Sequence, residues 1–270
     1  MRLRIFDTTR LIILVCLLVG MGEKSLAQSP YDLGKNREWI FLGAGGTLSV
    51  AALILMENVD PLTIEEINRL DTGDINSFDR KAIEPFREAR VGDGLLYASY
   101  VLPLTFLVHP DTKSDWRILG VMWGEVMLIN LGLNGIVKSL ALRTRPYVYD
   151  HETPLEKKTK AEARMSFYSG HTSAAAANCF FVATVFNDYM TNNKAKALVW
   201  AGAAIYPALI GYLRRDSGHH FRTDVYTGYC IGALVGYFVP RLHRNGTGRE
   251  LSLYATSILG AAGVGFHFSF

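Results

Sequence analysis

The stretch ALVWAGAAIYPALIGYL (197–213), then Arg214-Arg215-Asp216-Ser217-Gly218-His219-His220-Phe221-Arg222-Thr223-Asp224, then VYTGYCIGALVGYFVP (225–240), decides how the chain reads. The flanking apolar runs, Ala197–Leu213 and Val225–Pro240, are too long for strands and read as helices. Between them lies a density of Arg and His that a solvated turn does not need. His220 and Asp224 stand four residues apart, so a helical start puts them on one face. A carboxylate so placed fixes an imidazole tautomer and raises its basicity.

Working outward, the same kind of apolar run recurs at Trp39–Met56, Gly94–Val108, Trp116–Val137 and Thr172–Met190. All six runs read as helices, and Trp116–Val137 alone clearly exceeds the roughly 20 residues that cross a bilayer. Polar residues interrupt them at Glu125, Asn130, Asn134, Asn178 and Asn187. The fold class expected is all-α, a six-helix bundle embedded in a membrane, with a short C-terminal hairpin where Leu251–Phe270 alternates. Hydrophobic residues make up 49% of 270 and charged residues 20%, which excludes a disordered chain and one that is mostly membrane. A net charge of +3 without a basic stripe excludes nucleic acid as a partner. Three Cys in apolar runs read as buried free thiols rather than a disulfide framework.

The N-terminus has the layout of a secretory signal. Arg2, Arg4 and Arg10 precede the run Leu11–Gly22, and Ser25-Leu26-Ala27 forms a small-x-small site before Gln28. The expected division is a signal peptide at 1–27, a linker at 28–38, a helical domain at 39–240 and a tail at 241–270. The stretch Glu57–Asp93 carries ten acidic and five basic residues. Its Asp71-Thr72-Gly73 lacks the second copy that aspartic-protease chemistry needs. Asp74, Asn76 and Asp79 lack the spacing of a calcium loop, so the stretch reads as solvated loop.

Three polar clusters sit where apolar helices end. Lys138 is followed by Arg145-Pro146, which taken alone is explained by the helix dipole and a Pro stop. Ser169-Gly170-His171 opens the fourth helix, where free N–H groups and the positive dipole end favour an anion. The third cluster is Arg214 to Asp224. If the helices alternate in direction, all three clusters meet at one end. Cationic Lys138, Arg145 and Arg214, a helix start and two imidazoles then form a pocket suited to a tetrahedral oxyanion, phosphate above all.

In order, Lys-x6-Arg-Pro, Ser-Gly-His and Arg-x5-His-x3-Asp resemble the tripartite signature of the type 2 phosphatidic acid phosphatase family, which shares its site with bacterial acid phosphatases and vanadium-dependent haloperoxidases. The resemblance covers about Trp39–Pro240. Tyr168 stands where the family usually has Pro, and Leu213 where it usually has Ser. The resemblance implies that His220 attacks phosphorus and that Asp224 holds its other ring nitrogen. His171 would protonate the leaving oxygen, while Lys138, Arg145, Arg214, Ser169 and Gly170 bind the phosphate oxygens. It implies no metal and no cofactor.

The apolar helices favour a lipid phosphate: undecaprenyl pyrophosphate, phosphatidylglycerophosphate, phosphatidate or a lipid A phosphate. Alternatives are a soluble periplasmic acid phosphatase acting on small esters and a vanadate-dependent haloperoxidase. The expected location is the bacterial inner membrane, the acidic Glu57–Asp93 loop and the site facing the periplasm and the basic Thr191–Lys196 and Arg241–Arg249 connections inside. A cleaved signal followed by six crossings would put the site in the cytoplasm. Trp39–Met56 is therefore expected to lie on or inside the fold.

Overall fold

A computed structural model of the chain describes residues 29–245, 251–258 and 261–268. The expected signal peptide lies outside the described residues. The long helices are α1 (Lys35–Glu57), α2 (Arg90–Val101), α3 (Trp116–Ala141), α4 (Gly170–Tyr189), α5 (Asn193–Asp216) and α6 (Arg222–Leu242). Short helical turns lie between them, and two strands, Leu251–Ile258 and Ala261–Phe268, pair antiparallel after α6.

Helix ends follow from local chemistry. Asn192 caps α5 by accepting from the Lys194 and Ala195 N–H groups. The run Gly94–Val108 breaks after Val101 into a 3-10 turn, Leu102–Leu107, because Pro103 has no N–H to continue the α-helix. Other helices run longer than their apolar runs, since charged end residues such as Arg37, Glu38 and Arg214–Asp216 stay helical. Three helical stretches are long and apolar enough to cross a membrane: Arg37–Glu57, Lys113–Val148 and Asn193–Asp216. The first contains the run Trp39–Met56, expected to lie on or inside the fold. Its outer face is exposed at Trp39, Val50, Ile54 and Leu55.

Helices consecutive in the chain alternate in direction, whereas the closely packed pairs α1–α3 and α4–α6 run parallel. Asn130 Oδ1 accepts from Ser173 Oγ at 2.6 Å and Asn178 Oδ1 from Trp123 Nε1 at 2.8 Å, so α3 and α4 are antiparallel. Asn178 Nδ2 reaches Ser99 Oγ of α2 at 3.2 Å. The polar residues inside apolar runs thus pair across helices. On α6, Gly228, Gly232 and Gly236 lie against the α4 backbone; a Cβ at Gly232 would sit 2.0 Å from the Ser173 carbonyl oxygen. Only glycine lets the two helices approach so closely.

The end of the bundle opposite the site is tied by charge. His243 Nε2 lies 3.1 Å from Glu125 Oε2 and 3.4 Å from Glu38 Oε1, linking the segment after α6 to α3 and α1. Among the described residues Cys179 is buried as expected, whereas Cys230 is exposed on α6, which corrects the reading for that thiol; Cys16 lies outside the described residues. An apolar run that faces outward leaves its thiol on the surface.

Candidate active site

Alternation brings the C-termini of α3 and α5 to the same end as the N-termini of α2, α4 and α6. Every residue expected at the site lies there. Lys138, on the last turns of α3, is buried and donates to the Met165 carbonyl at 2.8 Å. Arg145 is buried beyond the left-handed Leu142 that ends α3, and its Nε donates to the Glu162 carbonyl at 2.8 Å. Ser169 precedes α4 with its Oγ 2.9 Å from Thr172 Oγ1. Its neighbour Gly170 lies so close to Asn134 that a Cβ would come within 2.7 Å of Oδ1. Arg214 ends α5, buried, and one of its guanidinium nitrogens lies 2.9 Å from Asp93 Oδ1.

His220 is fully buried, its Nδ1 3.7 Å from Asp224 Oδ2. That separation is an ion-pair distance and longer than a hydrogen bond. Burial, followed by the charges of Arg145, Lys138 and Arg214, holds the imidazole well below its ordinary range, so it is neutral at pH 7. All three cations are near enough for their charge to act on this ring. Asp224 is fixed by other groups. Ser166 Oγ donates to Oδ2 at 2.6 Å, the Phe221 N–H donates to Oδ2 at 2.9 Å, and Arg143 donates to Oδ1 at 2.5 Å. Burial raises its carboxyl against these bonds.

His219 is separated from this role by geometry. Its Nδ1 lies 2.9 Å from Ser217 Oγ, its ring packs on Phe86 and Tyr147, and burial pushes it down to about 2. Gly218, at φ 72°, makes the turn between the two functions; a Cβ there would meet the Glu84 carbonyl at 2.5 Å.

His171, on the first turn of α4, has its Nε2 3.0 Å from Asp93 Oδ1. Burial pushes the imidazole down to about 4, although the Asp93 hydrogen bond acts the other way. The His171 bond in turn holds the Asp93 carboxyl below the usual carboxylate range. Asp93 remains 42% exposed at its side chain and marks the mouth of the pocket.

Sequence reasoning missed Asp79, Asp93 and Arg143. Asp79 is fully buried, not part of a solvated loop. Its Oδ2 accepts from Arg143 at 2.8 Å and from Thr223 Oγ1 at 2.6 Å. The signal was weak: Asn76 caps the turn Ser77–Arg80, which aims Asp79 inward. Arg143 links Asp79 to Asp224 and lies 4.3 Å over the Phe221 ring.

Residues 119–247 match the PAP2 superfamily. The chain is 29% identical over 150 residues to phosphatidylglycerophosphatase B of Bacillus subtilis (strain 168), which covers 53% of this chain and 67% of that relative. It also aligns with the crystal structure of the first transmembrane PAP2 type phosphatidylglycerolphosphate phosphatase from Bacillus subtilis. That alignment has a TM-score of 0.44 at 23% identity, over 72% of this chain and 93% of the other.

Proposed function

We propose that this chain, whose residues 119–247 match the PAP2 superfamily, is a phosphatase of membrane lipids that removes the terminal phosphate of phosphatidylglycerophosphate through a phosphohistidine on His220. The observation that carries this reading is a neutral, buried His220 among Lys138, Arg145 and Arg214 at one end of the bundle. The substrate class follows the name of the Bacillus subtilis relative and the membrane-length helices.

With Nδ1 turned toward Asp224, Nε2 of His220 offers its lone pair to phosphorus. The N–P bond forms as the bond to the leaving oxygen breaks, and the imidazolium produced is stabilised by the Asp224 carboxylate. His171 gives its proton to the leaving oxygen. Burial first, and then the cations of Arg214 and Arg145, hold His171 neutral in the free enzyme; a substrate phosphate dianion beside it offsets those cations. His171 then takes a proton from water, whose oxygen attacks phosphorus and releases His220. Lys138, Arg145, Arg214, Ser169 Oγ and the Gly170 N–H bind the equatorial oxygens, where charge grows in the transition state.

Residues 39–240 act as the catalytic domain, with 28–38 as its linker and 241–270 as a tail. The catalytic end faces the periplasm, in keeping with the acidic excess of 57–93 there and with Lys194, Lys196 and Arg241 at the other end. A crossing α1 then puts Ser29 at the cytoplasmic end. The intact mass of the purified protein should therefore include residues 1–27; a chain beginning at Gln28 would put the catalytic end in the cytoplasm.

Phosphate release from phosphatidylglycerophosphate, phosphatidate and a soluble aryl phosphate, measured side by side in detergent, tests the substrate. Phosphatidylglycerophosphate should give the highest kcat/KM. Equal or faster turnover of the soluble ester would sink the lipid assignment.

A further inference from the structure

We propose that the outward groove between α5 and α6 binds a non-reacting anionic phospholipid. One acyl chain lies along the groove, and the phosphodiester sits between Arg215 and Arg222. The groove has a volume of about 550 Å³, with Gly211 and Val225 in its floor and Tyr212, Tyr226 and Tyr229 along its sides. That is the size of a small-ligand site. It faces away from the bundle on a helix long and apolar enough to cross a membrane. Tyr212 and Tyr226 are each 59% exposed, as side chains meant for lipid contact are.

The floor is closed. A Cβ on Gly211 would lie 2.4 Å from Val225 and 3.3 Å from Thr172, so α4, α5 and α6 touch beneath the groove. His220 lies buried in the pocket at the end of the bundle, with its neighbour Arg222 at the groove. The contact beneath Gly211 separates this part of the groove from the buried His220, so the occupant is a lipid other than the one being hydrolysed.

The headgroup is chosen by charge. Arg222 and Arg215 stand at the end of the groove near the catalytic loops. Arg222 lies 5.3 Å over the Phe78 ring, and among the described residues no carboxylate pairs with it. Arg215 donates to the Lys81 carbonyl at 2.8 Å; its nearest carboxylate, Asp216, is 4.0 Å away, and its Nε is buried without a partner. Two such guanidinium groups at the level of the tyrosines match a phosphodiester at the membrane interface, with the apolar groove continuing toward the acyl region.

The test uses the full chain purified in detergent and stripped of lipid. Native mass spectrometry then compares retention of phosphatidylglycerol and phosphatidylcholine, with and without saturating inorganic phosphate. Two basic groups at a headgroup set the expected preference for phosphatidylglycerol at about 30-fold, equivalent to about 2 kcal/mol. Phosphate in the catalytic pocket should not displace it. The double variant Arg215→Gln/Arg222→Gln should lose the preference while hydrolysing a soluble phosphate ester at the wild-type rate. No preference in the wild type overturns the proposal, as does a preference that survives the double substitution. So do displacement of the lipid by inorganic phosphate, collapse of soluble-ester turnover in the folded variant, and a dimer whose interface excludes lipid from the groove. The retention readout does not depend on which phosphate ester the enzyme cleaves, so it can fail or succeed apart from that assignment.

Discussion

Arg143→Met isolates the residue that joins the acidic stretch to the site. Its guanidinium bridges Asp79 and Asp224, both fully buried, and also donates to Thr223 Oγ1 at 2.8 Å. Methionine keeps a similar stem but leaves two buried carboxylates without their cation. Breaking a buried pair costs about 3–5 kcal/mol. Because the Arg143 side chain is 27% exposed, water recovers part of this, and the low end, about 3 kcal/mol, is expected. For a chain of this size that lowers Tm by roughly 6–12 °C. Asp224 would also lose the bond that fixes Oδ1, and misplacement of its partner His220 costs roughly 100-fold in kcat. Thermal unfolding in detergent and turnover of a soluble phosphate ester measure the two effects. Asp79→Asn in the Arg143→Met background should recover part of the stability, since one uncompensated charge is removed. A Tm within about 2 °C of wild type and kcat within about twofold would refute the reasoning.

Asp93→Asn removes the group that favours a protonated His171, so the basic limb of the kcat/KM profile should move to lower pH by on the order of one unit; an unmoved limb would separate Asp93 from the acid. Gly232→Ala forces a Cβ to within 2.0 Å of the Ser173 carbonyl, and should cost about 1–3 kcal/mol as α4 and α6 separate; an unchanged Tm would contradict the close approach. Stability should peak near neutrality. The folded-state values of His171 (about 4), His219 (about 2) and His220 (well below the ordinary range) lie under the unfolded value near 6.5, so the unfolded chain takes up more protons as pH falls. Stability then drops from pH 6.5 toward 4, by up to about 4 kcal/mol per pH unit for the three together. His243, raised to about 9 by Glu125 and Glu38 despite its burial, contributes stability below the unfolded value that is lost as pH rises through 9. Unfolding midpoints at pH 4.5, 7 and 9.5 check both slopes, and a flat profile would contradict them.

The residues gathered at the site were legible because each sits at or just beyond the end of a long apolar run, where alternation of helices brings ends together. The tandem His219-His220 was separable by spacing: four residues to Asp224 selects His220, and the structure gives His219 to Ser217 and two aromatic rings. Asp79 and Asp93 were not legible. Both lie among ten acidic residues of which most are exposed, and no periodicity in a stretch of short turns distinguishes a buried carboxylate from a solvated one. Arg143 was hidden for a similar reason, two positions before Arg145 in a segment where helical spacing no longer applies. Helix lengths were read short because apolar runs stop at the first charge, whereas the backbone continues through Arg37 and Glu38 at one end of α1 and through Arg214–Asp216 in α5.

The central claim is that His220 carries the phosphoryl group. Rapid mixing with a radiolabelled phosphate ester, quenching in base and peptide mapping test it directly. The account predicts an acid-labile, base-stable phosphoryl group on His220, more abundant in His171→Ala when the ester's leaving group needs no protonation, because only hydrolysis of the intermediate is then slowed, and absent with turnover abolished in His220→Ala. A label on another residue, or near-normal turnover by His220→Ala, would contradict it.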